Sequence, residues 1–315
     1  MERAEGLITI DPALEEGTET QSEAETGSIF SSSTPSLSES IYEYRRIQGR
    51  TYTQKVDYWG PNDDRQNEGL EINHWIMTLF LGDRLFLSPI GDNPQVNTLL
   101  RNDVLNESSD VADEFPSAEV FGVDVSPIQP KWVPTNCKFQ IDDIEQLWTW
   151  PDNHFDFIHI RNIEGCISNW TDLYKQAFKH MAPGGYIEVK EHDIELRSQI
   201  QELDDEHIFK YWSKNLLEAS AGFVDIVERK WPIPIGAWAN DPVMKQVGSG
   251  TLEFLDKSAE GFGMFLLKEV MGWEMAEILA LTSEFRKALK NFRTQPVFDL
   301  HVVYARKPET PIKTA

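Results

Sequence analysis

Four strings in order, AEVFGVDVSPIQP (118–130), CKFQIDDIEQLW (137–148), FDFIHIRN (155–162) and HMAPGGYIEVKEHD (180–193), carry the reading that decides the fold. Each holds an apolar run of strand length followed by turn-forming or charged residues. The runs predict strands at 118–125, 137–141, 155–160 and 184–190. Between the third and fourth, Leu173, Ala177, Phe178 and Met181 share one face at helical spacing, which predicts a helix from Asn169 or Thr171 to Met181. Strands alternating with helices imply an α/β fold with a doubly wound, mostly parallel sheet. In open sheets of this kind small ligands bind beyond the carboxyl ends of the strands, which gives the charged residues at those ends their interest.

Working outward, Leu70, Ile72, Trp75, Ile76, Leu79 and Phe80 predict an amphipathic helix over 63–81 closed by Gly82. Downstream, EHIFKYWSKNLLEAS (206–220), TLEFLDKSAEGFGMFLLKEVMGW (251–273) and EMAEILALTSEFRKALKNF (274–292) read as helices, and AGFVDIVERKWPIPIG (221–236) as a strand. PVFDLHVVYARKP (296–308) is expected as an antiparallel strand at or next to the sheet edge. The predicted architecture is therefore Rossmann-like with helical additions. It divides into an N-terminal helical lobe (41–94), a ligand-side sheet (95–195), and a helical cap with closing strands (196–309). Residues 1–40 hold nine Asp or Glu against one Arg and a single aromatic, Phe30, so they are expected as a disordered acidic tail. Residues 310–315 are expected as a second, short tail.

The 315 residues carry a formal net charge of −23, which argues against direct nucleic-acid binding, since that affinity comes mainly from Lys and Arg neutralising phosphates. An acidic membrane surface is disfavoured for the same reason, and no run approaches the roughly 20 apolar residues of a membrane span. Cys137 and Cys166 are the only cysteines. That is too few for a disulfide framework or a self-contained zinc site, and it points to an intracellular compartment, cytoplasm or nucleus. The histidines lack metal-ligand spacing, so no metal site is expected. Tyr186 and Lys190 match the Tyr-x-x-x-Lys spacing of a nicotinamide oxidoreductase. On a strand, however, they stand roughly 13 Å apart, too far to act together.

Asp124 ends its strand before the turn SPIQP, where its carboxylate can accept from both hydroxyls of a ribose or can cap the turn. Asp143 can accept from an adenine amine or can cap the segment it opens. Ile128 can pack on an adenine face or belong to the core. His159, Arg161, Glu191 and His192 lie at the same carboxyl edge. His159, His192 and Glu191 are the candidate bases. No glycine occurs between Gly91 and Gly122, where a sheet of this type usually places a phosphate- or amino-acid-binding loop.

Taken together, AEVFGVDVSPIQPKWVP, FQIDDIEQLWTWPDNHFDFIHIRN, MAPGGYIEVKEHD and AGFVDIVERK resemble the class I S-adenosylmethionine-dependent methyltransferases, and more narrowly the fungal LaeA-like group. The resemblance spans about residues 41–309. It implies S-adenosyl-L-methionine as cofactor, with Asp124 on the ribose, Ile128 on the adenine face, Asp143 and Ile144 at the adenine edge, and Arg161 near cofactor and substrate. It implies a small-molecule or protein methyl acceptor. As the alternative, it admits a non-catalytic regulatory protein working through a protein partner. Relatives carry a VLDIGTGTGIWAID-like motif where this chain reads VNTLLRNDVLNESSD (96–110), so the glycine cradle is altered. Asn102, Asp103 and Asn106 are the residues there that tolerate a left-handed turn.

Overall fold

The computed structural model describes residues 7–15, 43–54, 58–91, 94–101, 107–128, 132–163, 165–193, 196–200 and 223–309, with backbone alone for 96–101. The helices are α1 (Pro12–Glu15), α2 (Asp64–Phe80), α3 (Glu107–Glu114), α4 (Trp170–His180), α5 (Pro242–Gly263) and α6 (Met275–Leu289). A π-helical turn, Met264–Val270, continues α5. The strands are β1 (Arg45–Ile47), β2 (Arg50–Tyr52), β3 (Val96–Arg101), β4 (Glu119–Asp124), β5 (Cys137–Ile141), β6 (Phe155–Arg161), β7 (Met181–His192), β8 (Arg197–Ser198), β9 (Val224–Pro234) and β10 (Pro296–Arg306).

β1 and β2 form a small hairpin, and the rest join one sheet in the order β5-β4-β3-β6-β7-β10. β9 pairs along one side of β10, and β8 carries on from β7 along the other. The first five of these strands run parallel and β10 is antiparallel to both β7 and β9. The expected doubly wound sheet is thus present, and the antiparallel closing strand is next to the edge.

Alternation along β6 separates the two faces. Ile158 and Ile160 pack with Leu173 and Ala177 of α4, whereas the Phe157 ring meets Phe86 at a tilt, centroids 4.8 Å apart, on the opposite face. On that second face Ile76, Met77 and Phe80 of α2 meet Val247 of α5 and Phe298, Leu300 and Val302 of β10. α2 begins where predicted because Asp63 caps it, its carboxylate accepting from the Gln66 N–H at 3.1 Å. α5 begins earlier than the apolar pattern indicated, at Pro242, capped by Asp241. Pro at the first helical positions loses no hydrogen bond there.

Three differences from the sequence reading have physical causes. β3 was not expected, because VNTLLR neither alternates nor forms a continuous apolar run. The strand is held instead by parallel pairing with β4 on one side and β6 on the other. The strand expected at 184–190 begins earlier, at Met181, and PGG (183–185) is an excursion within it. Met181 pairs with Phe155 and Tyr186 with Phe157, so the register shifts across it. Gly184 adopts φ 83°, and a Cβ on Gly185 would lie 2.9 Å from the backbone oxygens of Ala182 and Asp156. Residues 7–15, placed by composition in a disordered tail, pack on the domain. Ile10 bridges to Ala239, the Asp11 N–H donates to the Trp238 carbonyl at 2.7 Å, and Ile8 and Leu14 lie against Trp238. Averaging over forty residues hid these few apolar side chains. The helix expected at 206–220 lies outside the described residues.

Candidate functional site

The cleft beyond the carboxyl ends of β4 and β5 is lined by Asp124, Asp142, Asp143 and Ile144 on one wall, with Ile163 and Gly165–Ser168 opposite. Its free volume is about 320 Å³. It lies beside the β3–β6 boundary, where the strand order reverses, the position at which such sheets take ligands. Asp124 is 2% exposed, and its Oδ1 accepts the Ser126 N–H at 2.7 Å. Ser126 Oγ in turn receives Asn62 Nδ2 at 3.2 Å, tying the N-terminal lobe to the cleft. Asp143 accepts from the Glu145 N–H at 3.0 Å and from Gln146 Nε2 at 3.1 Å. Both acids therefore cap their turns, and both line the cleft. Across the rim, the Ser168 N–H donates to Glu145 Oε1 at 2.7 Å.

Ile144 lines the cleft as expected, and the indole N–H of Trp148 fixes its carbonyl at 2.9 Å. Ile128 instead packs on the Leu70–Phe254 cluster beneath α2 and α5. Its turn directs it to the core. Burial pushes the Cys166 thiol in the cleft wall well above its ordinary range, so it is an inert apolar surface there. The carboxylic and apolar character of these walls suits a nucleoside, with carboxylates able to accept from a diol and aliphatic side chains able to pack on a flat base. Residues 102–106, within the glycine-free stretch, lie outside the described residues.

His159 and Arg161 do not face the cleft. They project on the α2–α3 side of the sheet, paired across strands with Glu188 and Lys190 respectively. Glu107, at the start of α3, closes this buried layer: Arg161 Nη1 is 2.8 Å and Lys190 Nζ 3.2 Å from its Oε1. His159 lies between Glu107 and Glu188 at 3.6 and 3.7 Å. His74 of α2 contacts Arg161 at 3.2 Å and Asp110 at 2.8 Å. Glu188 Oε2 receives the backbone N–H groups of Leu87 and Ser88 at 2.8 and 2.7 Å. Burial pushes the Glu188 carboxyl up and the Lys190 ammonium down. Charges were legible at this strand edge; their direction was not, because a shift of one position reverses the face.

Glu191 and His192 line a second cavity, under α2 and α5, which contains Trp59 and the rings of Phe254, Phe262, Phe285 and Phe298. Glu191 Oε1 accepts the Ile163 N–H at 3.0 Å. Tyr58 lines this cavity and the cleft alike. The aromatic residues were missed at the sequence level because they come from distant segments. The available signal was the density of Trp and Phe in 254–298.

Comparison with known proteins finds relatives of this chain. A family model for a methyltransferase domain matches residues 104–223. The chain is 31% identical over 300 residues to the methyltransferase pytC of Aspergillus terreus, spanning 88% of this chain and 92% of that one. It is 27% identical over 278 residues to the secondary metabolism regulator LAE1 of Cochliobolus heterostrophus, spanning 80% and 90%. A solved structure, Haemonchus contortus phosphoethanolamine N-methyltransferase 2 in complex with S-adenosyl-L-methionine, overlaps at TM-score 0.48 and 16% identity, over 82% of this chain and 62% of that one. The chain belongs to the class I S-adenosylmethionine-dependent methyltransferases, in the LaeA-like group with fungal secondary-metabolism relatives. S-adenosylmethionine is the cofactor of that family. Among the described residues no helix is long and apolar enough to cross a membrane, and no cluster of ligating side chains could hold a metal ion.

Proposed function

We propose that this chain is a methyltransferase acting on a small molecule, with the nucleoside of S-adenosylmethionine held by Asp124, Asp143 and Ile144 and the acceptor in the aromatic cavity. One observation carries the reading: the polar cleft and the aromatic cavity adjoin, with Tyr58 in the lining of both. A methyl donor and its acceptor must approach within van der Waals reach with their reacting atoms aligned, and two adjoining cavities supply that alignment. The cofactor brings an electrophilic sulfonium methyl; the protein's part is to orient the acceptor and exclude water. Two cysteines that form no disulfide, Cys137 and Cys166, favour the cytoplasm or nucleus.

Calorimetric titration with S-adenosylhomocysteine tests this. Saturable binding in the micromolar range is expected, and no heat at millimolar ligand overturns it. A second reading is favoured by the glycine-free stretch between Gly91 and Gly122: a regulatory protein that keeps the fold and works through a protein partner. For it, titration gives no cofactor binding while a partner co-purifies.

A further inference from the structure

The carboxylate-lined cleft and the aromatic cavity meet at one side chain. Of the described residues, Tyr58 alone lines both spaces. A second seam between them is the end of β6, where Asn162 lines the cavity and Ile163 the cleft. Glu191 Oε1 accepts the Ile163 N–H there at 3.0 Å. Asn162 makes the passage in the left-handed region, φ 53°, a conformation that asparagine tolerates.

The Tyr58 ring occupies its place because residue 60 has no side chain. A Cβ on Gly60 would lie 2.6 Å from both Cε1 and Cζ of that ring, a separation real atoms do not adopt. The backbone is pinned and does not give way. Asn62 donates its N–H to the Thr51 carbonyl at 2.8 Å and its side-chain amide to Ser126 Oγ at 3.2 Å. Pro61 fills the space over Gly261, where a Cβ would stand 2.5 Å from Pro61 Cγ. Gly60 is buried and its φ lies outside the left-handed region, so the chain itself accepts alanine. An added methyl would therefore move the aromatic ring. Trp59 is anchored separately: its ring meets Phe262 edge to face with centroids 4.8 Å apart and stands 6.0 Å from the Tyr58 ring.

We infer that Tyr58 is a stop that sets acceptor length: its ring closes the aromatic cavity toward the cleft, admits a guest one six-membered ring deep, and keeps that guest off the nucleoside. The inference rests on the acceptor assignment above and names the specificity determinant of that site. The free volume of about 120 Å³ agrees with it, since an apolar protein cavity of about 150 Å³ accepts benzene. Removing the ring joins this space to the cleft of about 320 Å³. An acceptor halted at Tyr58 presents its leading atom where the two spaces meet, the alignment that group transfer needs.

Ligand-observed NMR on the full chain tests this with toluene and naphthalene, one ring and two fused rings of the same apolar character. The unmodified chain is expected to bind toluene about tenfold more tightly, because the second ring overfills a packed space. Tyr58→Ala deletes the stop and Gly60→Ala pushes it aside, so each brings naphthalene to the affinity of toluene or beyond. Tyr58→Phe keeps the ring and preserves the discrimination. A merely structural role for Tyr58 would lower the melting temperature without changing the ranking of the probes. No toluene binding, equal affinities in the unmodified chain, or an unchanged ranking in either folded alanine variant overturns the inference. Should one alanine variant not fold, the other decides. Titration with S-adenosylhomocysteine runs in parallel. Cofactor binding with unranked probes removes this inference alone; ranked probes without cofactor binding remove the proposed function and leave the stop in place.

Discussion

Asp124 caps its turn and lines the cleft, and a conservative change separates the cap from the role proposed for it on the cofactor. Asp124→Asn retains an oxygen to accept the Ser126 N–H, now 2.7 Å from Oδ1, but replaces the other oxygen with a donor and removes the charge. Affinity for S-adenosylhomocysteine is expected to fall at least tenfold by calorimetry, while the melting temperature stays within about 2 °C. A large drop in melting temperature with unchanged affinity would reduce Asp124 to a turn cap. His192 supplies a pH effect of definite sign. Its folded-state value of about 3 lies below the ordinary 6.5, so between those values the unfolded chain binds more protons. Its contribution to stability is complete above pH 6.5 and is lost as the solution is acidified toward pH 3. His192→Phe is therefore expected to lose less unfolding free energy between pH 6.5 and pH 4 than the unmodified chain, measured by urea denaturation. Parallel curves for the two proteins would contradict that.

Close approach between elements is purchased by small residues on α5. A Cβ at Gly250 would stand 2.3 Å from Ile76 Cγ2 of α2, and one at Gly248 would stand 2.2 Å from the Gly236 carbonyl oxygen. Neither neighbour moves easily, since Ile76 is fully buried and the carbonyl is backbone. Gly248→Ala and Gly250→Ala are each expected to destabilise by roughly 1–3 kcal/mol in chemical denaturation. Because α2 and α5 roof the aromatic cavity, Gly250→Ala also loosens its walls. The buried ionic layer joins α2 and α3 to β6 and β7 in a comparable way. Glu107→Gln leaves Arg161 and Lys190 without their shared carboxylate and is expected to cost about 3 kcal/mol or more, read as a lower urea midpoint.

The elements legible in the sequence were those whose pattern is local. β4, β5 and β6 are compact apolar runs between turn signals, and α4 carries one clear apolar face. α2 and α4 each begin at a capping side chain, although α2 also buries Gln66, Asn73 and His74 and leaves Trp75 exposed. β3 was illegible because its stability lies in the hydrogen bonds of its two neighbours rather than in VNTLLR itself. The candidate site divides in the same manner. Asp124, Asp143 and Ile144 stand at strand ends that the sequence locates. Gln66, Trp59 and the phenylalanines converge from the N-terminal lobe and the helical cap, a convergence that only the tertiary fold creates.

Across the whole molecule, the sheet is assembled out of chain order. β10 is synthesised after every other strand yet lies inside the sheet, hydrogen-bonded to β7 on one side and β9 on the other. It brings Phe298 into the aromatic cavity and Phe298, Leu300 and Val302 into the core shared by α2 and α5. Just beyond it, the Lys307 ammonium binds the carbonyls of Phe178 and Met181 at 2.7 and 2.8 Å, fastening the corner between α4 and β7. A nascent chain leaving the ribosome therefore carries β7 with an open edge until residue 306 has emerged, and such edges recruit other strands. Folding of this sheet should be completed only after residue 306 has been translated. A version ending at residue 295 is expected to yield no protease-resistant core and to aggregate. The appearance of a protected fragment would show instead that the parallel half folds alone.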